Sequence, residues 1–372
     1  MHTHAHSPPH PQPHLRPWPG PRPHPQPQPH LHPTAHPRRA RLRGSRALGL
    51  GIGLAIAAAT AAPARATCGS ATCFLVTGTQ EGLASAGTFR ADLSFRYIDQ
   101  ERKLSGSSET DTVLVPKVDF EGGVLIPAHH REERTRVTSL QLDLGYAATE
   151  RLTLLAGIPL LIDKDHEHFD DAGGPDEHFV GTDGTRGFGD IALGARLGLL
   201  VAPKDLLTGD LALKVPTGAY RLLDSEGDIN EPTIQPGSGS YDLLAAVHYA
   251  HHPFPSPFEW FLTGSYRVNG ENNLDYRIGD EAILSAGVDH GSGGRLQWSV
   301  QVNARRSARD AFHGDDVPST GSTYVNLTPG LGITSAAGTR LYGYVQIPVY
   351  QDVNEEQLAP SIGLVLGVSK TF

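Results

Sequence analysis

The chain has 372 residues, 38% apolar and 19% charged, with 31 Lys and Arg against 40 Asp and Glu, a formal net charge of −9. That acidic balance argues against nucleic acid as a partner. Beyond the N-terminal region the longest uninterrupted apolar run, Leu154–Ile162, is too short for a transmembrane helix.

Residues 1–37 hold thirteen of the 29 prolines, nine of the 19 histidines and no acidic residue. Such a low-complexity extension builds no packed core and favours polyproline II or disorder. Arg38, Arg39, Arg41, Arg43 and Arg46 then precede the apolar run 47–62 and Ala64-Arg65-Ala66. A basic stretch, a short apolar core and an A-x-A site predict a signal peptide over 38–66, cleaved to leave Thr67 first. Cleavage removes eight Arg and no acid, so 23 basic residues face 40 acidic ones, a net charge of −17.

Cys68 and Cys73 follow, and in an exported protein their expected state is a small local disulfide. Arg65-Ala66-Thr67 is not a lipobox, so no lipid anchor is expected. Residues 67–85 form an N-terminal segment that either hangs in the periplasm or enters the domain that follows it as a plug. The apolar Phe74-Leu75-Val76 favours entry.

From Ala86 to Phe372 one pattern recurs about twelve times: roughly ten residues of apolar/polar alternation, then a break. In 89–97, Phe89, Ala91, Leu93, Phe95 and Tyr97 share one face, and Arg90, Asp92, Ser94 and Arg96 the other. Further segments lie near 135–146, 151–161, 188–199, 207–216, 240–250, 258–268, 280–289, 295–305, 322–333, 340–350 and 360–372. Short connections alternate with long ones at about 99–134, 162–187, 217–239, 269–279 and 306–321, then a shorter 351–359. This order predicts an all-β fold: a transmembrane antiparallel up-and-down β-barrel of about 12 strands, with short periplasmic turns and long extracellular loops. Phe89, Tyr146, Tyr249, Trp260 and Phe372 would mark the inner rim, with Tyr97 and Tyr241 at the outer one. A soluble sandwich or closed soluble barrel shares the alternation, with its apolar face turned inward.

In the membrane barrel the polar faces line the lumen with both signs: Arg90, Asp92, Arg96, Asp143, Asp190, Arg196, Asp210, Lys214, Asp242, His248, Glu259, Arg267, Glu281 and Arg305. They describe either a water-filled pore or a ladder of ion pairs filling a narrow lumen. The stretch 162–187 is the most acidic; Asp163, Asp165, His166 and His168 are its candidate metal ligands, against a solvated loop bridged to lipopolysaccharide by divalent ions. No nucleophile elbow or paired catalytic set occurs, so no enzyme activity and no cofactor are expected.

Four stretches carry a family likeness: Gly187-Phe188-Gly189-Asp190-Ile191, Leu213-Lys214-Val215-Pro216-Thr217-Gly218, Gln235-Pro236-Gly237-Ser238-Gly239-Ser240, and Asn326-Leu327 with Pro329-Gly330. With them most of the mature chain resembles the outer-membrane β-barrel transporter family named for the MetA pathway of phenol degradation. The resemblance implies a passive conduit for aromatic or other hydrophobic compounds. Terminal Phe372 resembles the signal read by the outer-membrane assembly machinery, although Lys370 departs from its usual apolar residue. The expected function is thus an outer-membrane channel for small molecules, with lipid, lipopolysaccharide and that machinery as partners. The rival is a closed structural or surface-interaction barrel whose acidic loops bind divalent cations or a partner.

Overall fold

The structure, a computed structural model, describes residues 82–291 and 294–372. The expected His/Pro extension, signal peptide, Cys68–Cys73 disulfide and most of the 67–85 segment lie outside the described residues. None of the described residues is helical.

Twelve strands form the barrel wall: β1 Phe89–Ser105, β2 Val124–Ala147, β3 Leu152–Asp170, β4 Ile191–Val201, β5 Asp205–Val215 and β6 Asp242–His251; then β7 Phe258–Val268, β8 Glu281–His290, β9 Leu296–Ser307, β10 Ser322–Thr334, β11 Thr339–Val353 and β12 Glu356–Thr371. Each pairs antiparallel with its sequence neighbour, and β12 returns to β1, closing the sheet. The seam runs from Ser105 opposite Glu356 to Arg90 opposite Thr371. At its inner end the Phe89 and Phe372 backbones exchange hydrogen bonds of 3.2 and 2.8 Å.

Strand alternation decides the environment of each face. On β9, Leu296, Val300 and Val302 are 62%, 42% and 47% exposed, while Gln301 and Asn303 are 1% and 0% exposed. Apolar side chains point out and polar ones in, the reverse of a soluble barrel or sandwich, which disposes of that alternative. The outward apolar run on β9 ends at Arg306. Ten residues at about 3.3 Å, tilted about 40°, span roughly 25 Å, the height of a bilayer belt.

Beyond that belt β1, β2, β3, β11 and β12 continue as a collar. Its outer face is ionic: Arg134 pairs with Asp99, and Arg136 with Asp165 and Glu167 at 2.6 Å each. Much of the predicted loops 99–134 and 162–187 is therefore strand. The apolar/polar rhythm is lost there because both faces of the collar are polar, not because the strands stop.

Loops 106–123, 269–280 and 308–321 pack into a lid over the collar. Leu114–Asp119 adds to β2, and Tyr276–Arg277, Ala311–Phe312 and Asp315–Asp316 make a small separate sheet. Val118, Tyr276, Phe312 and Val317 bury one apolar cluster between them. Asp310 accepts the Tyr276 hydroxyl at 2.6 Å and the Gly279 N–H at 2.9 Å.

Candidate functional site

Loop three, residues 216–241, turns into the barrel. Its limbs are tied by Gly237 N–H to Ala219 O at 2.7 Å and Asn230 N–H to Leu222 O at 2.9 Å. Between them Gln235 accepts from the Leu222 N–H and donates to the Leu222 and Asn230 carbonyls. The limbs cross at two glycines: a Cβ on Gly237 would meet the Gly218 carbonyl carbon at 2.7 Å, and one on Gly218 the Gly237 Cα at 2.9 Å.

Asp190 fastens this crossing. Its carboxylate takes the Gly218 N–H at 2.9 Å, the Ser238 N–H at 2.9 Å, the Ser238 hydroxyl at 3.0 Å and the Lys214 ammonium at 2.8 Å. Three of the stretches carrying the family likeness thus converge on one carboxylate, while Asn326-Leu327 and Pro329-Gly330 lie on β10. Asp190→Ala is expected to cost about 3 kcal/mol, since buried donors lose a charged acceptor. Denaturant unfolding of the protein in lipid measures it, and a loss below the usual surface range of about 0.5 kcal/mol would remove Asp190 from this role.

The returning limb, Glu231–Pro236, forms a septum across the lumen. Lys164, on β3 and 3% exposed, donates to the Thr233 and Gln235 carbonyls at 2.6 and 2.9 Å. The Thr185 hydroxyl donates to Ile234 O, Asn230 Nδ2 to Asp183 O, and His130 meets Glu231 at 2.7 Å. Sequence reasoning missed Lys164, His130, Glu132 and Glu231. A readable trace existed: Lys164, His166, His168 and Asp170 alternate with Asp163, Asp165 and Glu167, two-residue spacing that places each set on its own strand face.

The septum separates two cavities, both lined by Pro232 and Thr233. The one beneath the lid holds about 90 Å³. The one deeper in the lumen holds about 140 Å³ and combines Pro159, Ile162, Pro236 and Ile278 with charged groups. Of the predicted lumen residues, Arg96, Asp190, Lys214, Asp242, Arg267, Glu281 and Arg305 line this deeper cavity. Lys214 bridges Asp190 and Asp242 at 2.8 Å each, and Arg305 pairs with Glu281. Elsewhere Arg196 and Asp210 pair across β4 and β5 through two bonds of 2.8 and 2.6 Å. Asp143 lies 3.8 Å from Arg96, and Asp92 accepts the Tyr342 hydroxyl at 2.7 Å. Arg90 stands opposite Gly145 on the neighbouring strand, His248 meets the Thr263 hydroxyl at 2.8 Å, and Glu259 lines a third cavity of about 140 Å³ toward the inner mouth.

The predicted metal set does not assemble. Asp163 and Asp165 face outward, Asp165 onto Arg136 and Asp163 toward Arg186, while His166 and His168 point into the collar. Strand alternation keeps the four from one ion. Inside the collar His166 and His168 instead join His130, Glu132, Asp170, Asp183 and Glu231. His130 sits between Asp170 at 3.0 Å and Glu231 at 2.7 Å, and Asp170 also accepts from His168 at 3.0 Å. Burial opposes a charge on His130, but its bonds to Asp170 and Glu231 outweigh that and raise it to about 10. Burial lowers His166 to about 3, with His168 adding to the effect. It pushes Glu132 up, helped by the Glu231 charge.

No family model and no curated protein matches this sequence. Among solved structures, an outer-membrane channel from Pseudomonas putida F1 superposes with a TM-score of 0.53 at 14% identity, over 80% of this chain and all of that one. A FadL homologue from Pseudomonas aeruginosa (12% identity, 77% of this chain, 90% of that one) and the toluene transporter TbuX from Ralstonia pickettii (8%, 78% and 90%) each score 0.38. At these identities the likeness to the first concerns the fold, that of an outer-membrane barrel.

Proposed function

We propose that this barrel is an outer-membrane channel for small molecules about one ring in size, with an apolar body and an oxygen acceptor. The deeper cavity carries this reading. Its 140 Å³ is close to the roughly 150 Å³ of an engineered cavity known to hold benzene. Prolines and isoleucines provide an apolar surface, while Arg267 and Arg305 also line it, each with one buried N–H that has no acceptor. A phenol-like solute supplies both the ring and the missing acceptor. The similar outer-membrane channel from Pseudomonas putida F1 agrees with a channel role.

Refolded protein in a planar bilayer is expected to give discrete current steps, and to speed phenol entry into vesicles above the rate of protein-free vesicles while leaving hexose entry at the protein-free rate. Silence from a barrel that keeps its heat-modifiable migration would favour the second reading, a closed structural barrel. The lumen ion pairs and the buried Gln301, Asn303 and Thr328 support that alternative.

A further inference from the structure

The collar cluster leaves buried polar atoms unpaired. Glu132 and His166 are 6% and 2% exposed, yet Glu132 Oε1 and His166 Nε2 have no hydrogen-bond partner. His166 Nε2 stands 3.5 Å from Glu132 Oε2, whereas two ligands on one tetrahedral Zn²⁺, with bonds near 2.0–2.1 Å, sit about 3.3–3.4 Å apart. One donor atom from each of His130, Glu132 and Glu231 lies within 4.8 Å of the other two.

The geometry points to a site for a divalent transition ion of the zinc class, built on the close trio His130, Glu132 and Glu231, with His166, 3.5 Å from Glu132, turning in as the fourth ligand. It ties the loop-three septum to the barrel wall. Two neutral imidazoles and two carboxylates match an N₂O₂ set and balance the charge of a divalent ion; calcium and magnesium prefer oxygen alone. The surrounding groups already hold both rings in coordinating poses. His130 turns Nδ1 to Glu231 while its Nε2–H donates to Asp170 at 3.0 Å. His166 turns Nε2 to Glu132 while Nδ1 meets the Thr135 hydroxyl at 2.9 Å. Histidine ligands usually have their second nitrogen anchored in this way. The ion takes the place of the proton between His130 and Glu231.

A second acidic group, Asp224, Glu226 and Asp228 of loop three, is a different case. It already surrounds a cation, the Lys117 ammonium, at 3.6, 2.9 and 2.9 Å.

The test uses untagged protein extracted from the outer membrane of producing cells, stripped with EDTA and dialysed against Zn²⁺. Its readout does not depend on whether the barrel conducts. Wild type is expected to retain one Zn²⁺ more than Glu132→Gln or His166→Ala, and to show the visible absorption of four-coordinate Co²⁺, which both variants lose. Glu231→Gln, which replaces a charged ligand oxygen by a neutral one, is expected to bind more weakly than wild type, and Glu226→Gln to match it. Heat-modifiable migration of every variant confirms the barrel. No uptake by folded wild type, which would leave a buried water among these groups, overturns the proposal. So does equal uptake by Glu132→Gln and His166→Ala, or undiminished affinity in Glu231→Gln, which would leave the septum no part in the site.

Discussion

Arginine at Val300 is expected to cost about 2–4 kcal/mol of folding stability, because it puts a charge near the centre of the apolar belt. The same change at Leu296, by the inner rim, should cost about 0–1 kcal/mol. Both residues point outward on β9, so the contrast isolates depth from direction. Gln301 is not a neutral control. Alternation alone predicts that Gln301→Arg is cheap, but the side chain is 1% exposed among Asn303 and its neighbours, so overpacking adds about 1–3 kcal/mol. Unfolding in lipid vesicles gives all three values, and equal costs at Val300 and Leu296 would move the belt off β9.

Replacing residues 222–236 with a short flexible linker is expected to raise single-channel conductance several-fold. The segment contributes the backbone that crosses the lumen between the two upper cavities. The crossing at Gly218 and Gly237 and the Asp190 fastening remain, so the linker should close without disturbing β5 and β6. Backbone held by Lys164 and Thr185 moves only if several bonds break together. Side chains lower in the lumen change rotamer individually. Unchanged conductance in a folded variant would shift the constriction to the layer of Gln301, Asn303 and Thr328.

The twelve membrane crossings were legible because lipid imposes a strict rule on one face. Phe89 through Tyr97 and Leu296 through Arg305 show it plainly, and the predicted segments fall on β1 to β12. The collar was not legible. At Asp163–Asp170 water lies outside and a polar lumen within, so neither face is apolar and the segment reads as an acidic loop. The same loss of contrast hid the site. His166 and His168 stood out by residue type, but their partners Glu132 and Glu231 come from β2 and from a loop folded back inside, pairings that depend on tertiary contacts.

The seam between β1 and β12 has a kinetic consequence. Ser105 meets Glu356 and Arg90 meets Thr371, so closure joins residues roughly 250 or more apart at an entropic cost of about 5 kcal/mol. Until it forms, β1 and β12 each present an unpaired row of backbone N–H and C=O groups, and hydrocarbon cannot tolerate either row. The chain therefore cannot enter the bilayer one hairpin at a time. The rate-limiting event is expected to be the meeting of its two ends, coupled to insertion, with Phe372 as the last rung against Phe89.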